Sequence, residues 1–261
     1  MNISLSEKNA VICGSTQGIG LAVAEELALL GANCTLIARN DEALKSAIHH
    51  LDTSLRQKHT YFVADFFNTA EVKKAINAIT TAIPVHILIN NTGGPKAGPI
   101  VSADESEFEN AFQQHLINNH NLAKAVLPGM KTEGYGRIIN IISTTVRIPL
   151  HNLGVSNTIR AAVASWAKTL SNEVGQFNIT VNNLLPGLTD TQRLRSLISA
   201  LAKDRDVEDV VIEKEMINSI PMKRFGSAEE IANMVAFLAS PAASYINGIS
   251  IPVDGGRTGT I

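Results

Sequence analysis

The chain has 261 residues, 45% of them hydrophobic, which is enough to bury a substantial apolar core. A formal net charge of −2 lacks the basic excess typical of nucleic-acid-binding proteins. No apolar run reaches the roughly 18 residues of a membrane helix, and no basic segment followed by an apolar stretch indicates a signal peptide. Cys13 and Cys34 are expected to be buried thiols. We therefore expect a cytoplasmic protein with no nucleic-acid or membrane partner.

Short β-rich runs alternate with longer helical patterns along the whole chain. Strands are predicted at residues 9–13, 34–38, 60–64, 86–90, 137–142, 179–184 and 249–253. Helices are predicted at residues 18–30, 41–53, 69–81, 105–131, 156–174 and 228–239. This alternation predicts parallel strands joined by right-handed helical crossovers, in a single α/β domain that spans residues 1–261.

Capping-box spacing indicates where three of the helices begin. In each case a polar residue is followed three positions later by a glutamate: Asn68 with Glu71, Ser102 with Glu105, and Ser227 with Glu230. Residues 188–222 are the one long segment outside the alternation. Since ligands bind beyond the carboxyl ends of parallel strands, we interpret this segment as a substrate lid, with a surface insertion as the alternative.

A glycine-rich turn separates the first predicted strand from the first predicted helix. It consists of Gly14, Ser15, Thr16, Gln17, Gly18, Ile19 and Gly20. Glycines let the backbone turn tightly and approach a ligand, and the helix N-terminus presents unpaired N–H groups to phosphates. An ordinary turn is the alternative, but the order of strand, turn and helix favours a pyrophosphate site for a dinucleotide.

The residues after the second and third strands indicate which dinucleotide binds. Arg39 follows the second strand, where dinucleotide-binding folds contact the adenosine ribose. Its guanidinium suits the 2′-phosphate of NADP, whereas an acidic residue at this position would favour NAD. The sequence therefore favours NADP over NAD, with a solvated surface arginine as the alternative. Asp65 ends the third strand, where it either accepts from adenine or caps the turn before Asn68, and Phe66 beside it is assigned to the same site.

Four motifs, in the correct order, resemble those of the short-chain dehydrogenase/reductase family over nearly the whole chain. The glycine turn resembles T-G-x-x-x-G-x-G with Cys13 for the threonine, and residues 224–256 match the terminal pattern. The remaining two are the N-N-A-G and P-G-x-x-x-T motifs, which are matched here by Asn90, Asn91, Thr92 and Gly93, and by Pro186, Gly187 and Thr191. The likeness extends to 3-oxoacyl-carrier-protein reductases. It implies a doubly wound (Rossmann) sheet of seven parallel strands with helices on both faces, a nicotinamide cofactor bound by these motifs, and a homo-oligomer, either a dimer or a tetramer.

The family's catalytic asparagine, serine, tyrosine and lysine are only partly present. Ser143 keeps the serine, whereas His115, Ser156 and Arg160 align with the asparagine, the tyrosine and the lysine. A serine hydroxyl ionises far more weakly than a phenol and an arginine stays protonated, so this pair cannot move protons as the family's pair does. Arg160 can still bind ribose hydroxyls and stabilise negative charge on a substrate oxygen.

Two histidines, and none of the three tyrosines in the chain, are candidates to replace the missing tyrosine. Tyr61 and Tyr245 are predicted to open strands and Tyr135 to precede one, which places all three at the amino edge of the sheet, away from ligands. His151 and His115 are candidate proton donors because an imidazole titrates near neutrality. The alternatives are a solvated loop histidine and a structural helix histidine.

Two functions fit these residues. The first is an NADP-dependent oxidoreductase that transfers a hydride between nicotinamide and a small carbonyl or alcohol, with Ser143 polarising the substrate oxygen and a non-standard proton donor. The alternative role of Ser143 is to cap the turn after its strand. The second function is a catalytically silent dinucleotide-binding protein: a pseudoenzyme, cofactor sensor or regulatory subunit. The retained Ser143 and the cation of Arg160 favour the enzyme, and no residue spacing suggests a metal site.

Overall fold

Seven parallel strands form one sheet in the order β3-β2-β1-β4-β5-β6-β7. In the computed structural model, which describes residues 1–260, the strands are β1 (Asn9–Cys13), β2 (Asn33–Ala38), β3 (Thr60–Val63), β4 (Ile87–Asn90), β5 (Gly136–Ile141), β6 (Ile179–Pro186) and β7 (Ser250–Val253). The chain starts in the middle of the sheet, winds outward to β3, and returns beside β1 with β4 to wind to the other edge. The doubly wound sheet is confirmed.

Helices connect these strands and cover both faces of the sheet. They are α1 (Gly18–Leu29), α2 (Asp41–His49), α3 (Thr69–Ala82), α4 (Glu105–Ala111), α5 (Asn118–Glu133), α6 (Gly154–Val174), α7 (Gln192–Asp204), α8 (Asp209–Asn218) and α9 (Ala228–Ala239). The single helix predicted at residues 105–131 is α4 and α5 joined by a π-helical turn, Phe112–Ile117. None of the helices in the described residues is long and apolar enough to cross a membrane.

The two cores follow from the alternation of side chains along the buried strands. In β1, Ala10 and Ile12 point into the core under α1, α2 and α9, whereas Val11 and Cys13 point into the core under α3, α5 and α6. Burial raises the pKa of the Cys13 thiol to about 12, so it stays protonated and behaves as a small apolar residue. The expectation of a buried cysteine is confirmed.

Helix caps agree with the sequence at two of the three predicted positions. Ser227 and Glu230 form a reciprocal capping box at the start of α9, and the Asn68 side chain accepts from the first backbone N–H groups of α3. The prediction at Ser102 is wrong. Ser102 ends a short 3₁₀ turn, with its hydroxyl donating to the Pro99 carbonyl, and α4 begins only after Asp104.

A row of polar side chains fixes the register of four strands, running from the carboxyl end of β4 to the amino end of β7. Asn90 donates to Asn140 at 2.8 Å, Asn140 donates to Asn183 at 2.9 Å, and Asn183 donates to the Ser250 hydroxyl at 3.1 Å. Each pair is also directly opposite in the strand register. Because slippage would leave buried amides unpaired, the row holds the loops that follow β4, β5 and β6 at one level.

Most of the segment 188–222 is folded into α7 and α8. The two helices pack on each other through Leu194, Ile198, Ala202 and Ile212, a small core of their own. Thr191 caps α7 by accepting from the Leu194 backbone N–H at 3.4 Å. Leu194 also lines a cavity at the carboxyl edge of the sheet, so α7 lies beside the edge where a ligand is expected.

Candidate active site

The glycine turn between β1 and α1 is too tightly packed to accept side chains. Gly14 and Gly18 have positive φ angles of +58° and +54°, and a Cβ atom at Gly20 would lie only 2.1 Å from the Gly14 carbonyl oxygen. Asn91, at the end of β4, donates its side-chain amide to that same oxygen at 3.0 Å. The Ser15 hydroxyl is buried and has no partner within residues 1–260. Such a preformed backbone turn at a helix N-terminus fits a pyrophosphate.

Two adjoining cavities lie along the carboxyl edge of the sheet, on either side of this turn. The first, which we call the adenosine cavity, is lined by Gly14, Thr16, Gln17, Arg39, Asp65, Phe66, Thr92, Gly93, Gly94 and Arg193, among others. The second, the nicotinamide cavity, is lined by residues that include Ile19, Asn91, Thr92, Gly94, Ser143, Ser156, Arg160, Pro186, Gly187, Thr191 and Arg193. Most of the residues predicted for the cofactor and the catalytic centre therefore come together in one groove.

Arg39 provides a positive charge at the wall of the adenosine cavity, beside a turn at residues 65–67 that is held by hydrogen bonds. Arg39 is exposed at its wall and forms no ion pair within residues 1–260. One carboxylate oxygen of Asp65 accepts from the Phe67 backbone N–H at 3.0 Å, so Asp65 does cap its turn. The carbonyl of Phe66 accepts from the Asn118 side chain at 2.7 Å, which fixes this wall. The guanidinium of Arg39 thus remains available to a phosphate.

The two serines face the nicotinamide cavity from different elements. Ser143 follows β5, and its oxygen accepts from the Thr145 backbone N–H at 3.2 Å. Ser143 therefore caps the turn after its strand, which was the alternative role predicted for it. Because the oxygen only accepts in this contact, the hydroxyl proton remains free to donate to a ligand. Ser156 is buried in the first turns of α6, and its hydroxyl makes no hydrogen bond to any other residue in the described part of the chain. Both hydroxyls can therefore serve a bound ligand.

Arg160 lies one turn beyond Ser156 on α6 and is buried under the same cavity. Its Nη1 donates to the Ile141 carbonyl at 3.1 Å, which anchors the guanidinium to the end of β5. Burial, and then the nearby charge of Arg193, lower the pKa of Arg160 to about 10. The side chain still carries its positive charge at neutral pH. It is therefore placed to bind hydroxyls or a developing oxyanion, and not to relay protons.

His115 lies in the π-helical turn and contacts the loop after β4. Its Nδ1 is 2.7 Å from the hydroxyl of Thr92. Burial, followed by the charges of Arg160 and Arg193, lowers the pKa of His115 to about 3. The imidazole is therefore neutral at physiological pH and hydrogen-bonded to Thr92. π-Helical turns often occur at functional sites.

His151 and the tyrosines lie outside both cavities. His151 is exposed and lines a separate groove with Pro99 and Ile100, because the loop after β5 turns outward before α6. Tyr135 precedes β5 and donates to the Ala239 carbonyl, and Tyr61 lies within β3. The expectation that Tyr245 opens a strand is wrong, since it is fully exposed five positions before β7. None of the three tyrosines lines either cavity.

Sequence reasoning missed several residues of the groove. Arg193 on α7 borders both cavities, and Arg257, after β7, lines the nicotinamide cavity. Arg257 follows the family's terminal motif at the carboxyl end of a strand, and this position was a usable signal. No local pattern marks Arg193 in the sequence, because its contact with the groove depends on how α7 packs over the sheet edge. Within residues 1–260, no cluster of His, Cys, Asp or Glu could hold a metal ion.

Comparison with known proteins agrees with this geometry. A family model described as Enoyl-(Acyl carrier protein) reductase matches residues 14–258. The chain belongs to the short-chain dehydrogenase/reductase family. The expected resemblance is therefore confirmed, and it extends over nearly the whole chain.

Three relatives illustrate the match. The NADPH-dependent reductase BacG of Bacillus subtilis is 29% identical, covering 98% of this chain and 100% of BacG. The 3-oxoacyl-[acyl-carrier-protein] reductase FabG of Pseudomonas aeruginosa is 32% identical, covering 97% of this chain and 98% of FabG. The crystal structure of L-sorbose reductase from Gluconobacter frateurii, complexed with NADPH and L-sorbose, is 32% identical, covers 100% of both chains and has a TM-score of 0.94.

Proposed function

We propose that this protein is an NADP(H)-dependent reductase that transfers a hydride to a small carbonyl substrate. The observation that carries the proposal is that the glycine turn, Arg39, Ser143 and Arg160 line two adjoining cavities of one groove. The reductases BacG and L-sorbose reductase support the choice of cofactor, since both are described with NADPH. Arg39 supports it independently, because a guanidinium suits a 2′-phosphate.

Bound NADPH would supply the hydride, and the residues of this chain would hold it and polarise the carbonyl. The glycine turn would bind the pyrophosphate and Arg39 the 2′-phosphate. Ser143 donates its free hydroxyl proton toward the substrate oxygen, and the buried charge of Arg160 stabilises negative charge in the same cavity. Ser156 occupies the place of the family's tyrosine and provides a second hydroxyl. A mobile α7–α8 lid and a homo-oligomer belong to the same proposal.

A catalytically silent dinucleotide-binding protein is the second candidate. It is favoured by one observation: no tyrosine lines the groove, and both His115 and Arg160 are held in states that do not exchange protons near neutral pH. This protein would bind NADPH but would not reduce a carbonyl.

The two candidates can be separated by screening small ketones with NADPH and measuring the oxidation of NADPH by its absorbance at the nicotinamide band. The enzyme should turn over at least one ketone, and Ser143→Ala should lower kcat by roughly a hundredfold or more through loss of a donor to the reacting oxygen. Ser165→Ala is the matched control, because Ser165 is exposed on α6. Tight NADPH binding without turnover of any ketone would favour the silent protein.

A further inference from the structure

Two arginine side chains from distant parts of the chain meet beside Gly94. A Cβ atom at Gly94 would lie 2.7 Å from Nη2 of Arg193 and 3.1 Å from Nη2 of Arg160. The two nitrogens are therefore no farther apart than the sum of these distances. At that separation a single oxygen atom between them can accept a hydrogen bond from both.

No carboxylate within residues 1–260 neutralises either guanidinium. Arg160 donates to a backbone carbonyl, and Arg193 donates to the carbonyls of Gly94 at 3.2 Å and Pro95 at 3.5 Å. Arg195, two residues further along α7, is instead paired with Asp190 and Glu213. Like charges held this close repel each other, so an anion between Arg160 and Arg193 would be strongly favoured.

The position of this cation pair indicates which anion it would bind. Arg193, Gly94 and Thr92 line both cavities, so they mark the junction between them. The glycine turn reaches the same junction from the opposite side, with Gln17 in the adenosine cavity and Ile19 in the nicotinamide cavity. A dinucleotide with one nucleoside in each cavity would place its phosphates between the glycine turn and Arg193.

We propose that Arg193, assisted by Arg160, binds a phosphate oxygen of the dinucleotide and thereby attaches helix α7 to the bound cofactor. The inference rests on the proposed function, because it requires a dinucleotide in the groove. Arg193 lies at the rim of the groove and can exchange two long hydrogen bonds to neutral carbonyls for charge-assisted bonds to phosphate. Since Arg193 lies in the first turn of α7, the cofactor would hold the α7–α8 pair over the groove.

The test is the affinity for NADPH, measured by titrating the fluorescence of the reduced nicotinamide. Arg193→Gln should weaken NADPH binding roughly tenfold to a hundredfold, the range expected for a lost charge-assisted hydrogen bond. Lys203→Gln is the matched control, since it removes the same charge from an exposed position on α7 and should leave the affinity unchanged. Adenosine 2′-monophosphate, which lacks the pyrophosphate, should bind Arg193→Gln and the wild type equally.

Hydrogen exchange adds a readout that does not depend on affinity. At saturating NADPH, exchange in residues 192–204 should slow in the wild type and remain fast in Arg193→Gln. The proposal is overturned if Arg193→Gln keeps the wild-type affinity for NADPH. A raised KM for a keto acid, with unchanged NADPH affinity, would show that Arg193 binds an anionic substrate instead of the cofactor. Equal weakening of adenosine 2′-monophosphate would also overturn it. Failure of the wild type to bind NADPH would overturn the proposed function as well.

Discussion

Acid should destabilise this protein through His115, because the folded state holds that imidazole neutral. His115 is buried, its Nδ1 is hydrogen-bonded to Thr92, and its Nε2 has no partner within the described residues. Burial, with Arg160 and Arg193 nearby, lowers its pKa from an ordinary 6.5 to about 3. The unfolded chain therefore binds one proton more than the folded protein between these two values. Stability is unaffected above about pH 6.5 and falls as the pH drops below it.

The size of the effect follows from the difference between the two pKa values. Each pH unit within the window removes about 1.4 kcal/mol from the free energy of unfolding. Between pH 7.5 and pH 4.5 the loss from His115 alone should therefore approach about 3 kcal/mol. His86, whose pKa is also lowered by burial, adds to the loss in every variant and so cancels from the comparison.

Urea unfolding of the wild type and His115→Asn at pH 7.5 and pH 4.5 measures this contribution. The asparagine cannot titrate, so the pH-dependent loss should be smaller in the variant by about 2–3 kcal/mol, whatever the substitution costs at neutral pH. His151→Asn, which changes an exposed histidine, should lose as much stability as the wild type. Equal acid losses in His115→Asn and the wild type would show that His115 is not held neutral in the folded state.

The remaining predictions concern the cofactor turn, the adenosine cavity and a helix cap. Gly20→Ala should lower the free energy of unfolding by about 1–3 kcal/mol and abolish NADPH binding, because the added Cβ would lie 2.1 Å from the Gly14 carbonyl oxygen. Gly129→Ala, at an open helical position, is the control and should change neither the stability nor the binding. Arg39→Ser should weaken NADPH binding roughly tenfold or more but leave NADH binding unchanged in the same titration. Equal losses of affinity for both cofactors would show that Arg39 does not recognise the 2′-phosphate. Ser227→Ala should cost about 1 kcal/mol in urea unfolding by removing the capping box, with unchanged NADPH affinity as its check.

Periodicity and turn chemistry were sufficient to predict the sheet and the position of the glycine turn within it. Strands such as β1 and β4 are short apolar runs between helical patterns, and their order along the chain requires parallel pairing. The glycine turn could be identified because its function depends on backbone conformation, which Gly14 and Gly20 reveal directly in the sequence. The helical spacing of Leu194, Ile198 and Ala202 is also present in the sequence, although the lid predicted at 188–222 was assigned no helices.

The sequence by itself determined the fold and the family, because these depend on local patterns and on the order of motifs along the chain. Only the tertiary structure decided that His115 contacts Thr92, that His151 lies in another groove, and that Arg193 meets Arg160. The physical reason is that such contacts join residues far apart in the chain. They are set by how the helices pack against the sheet edge, which no local spacing records.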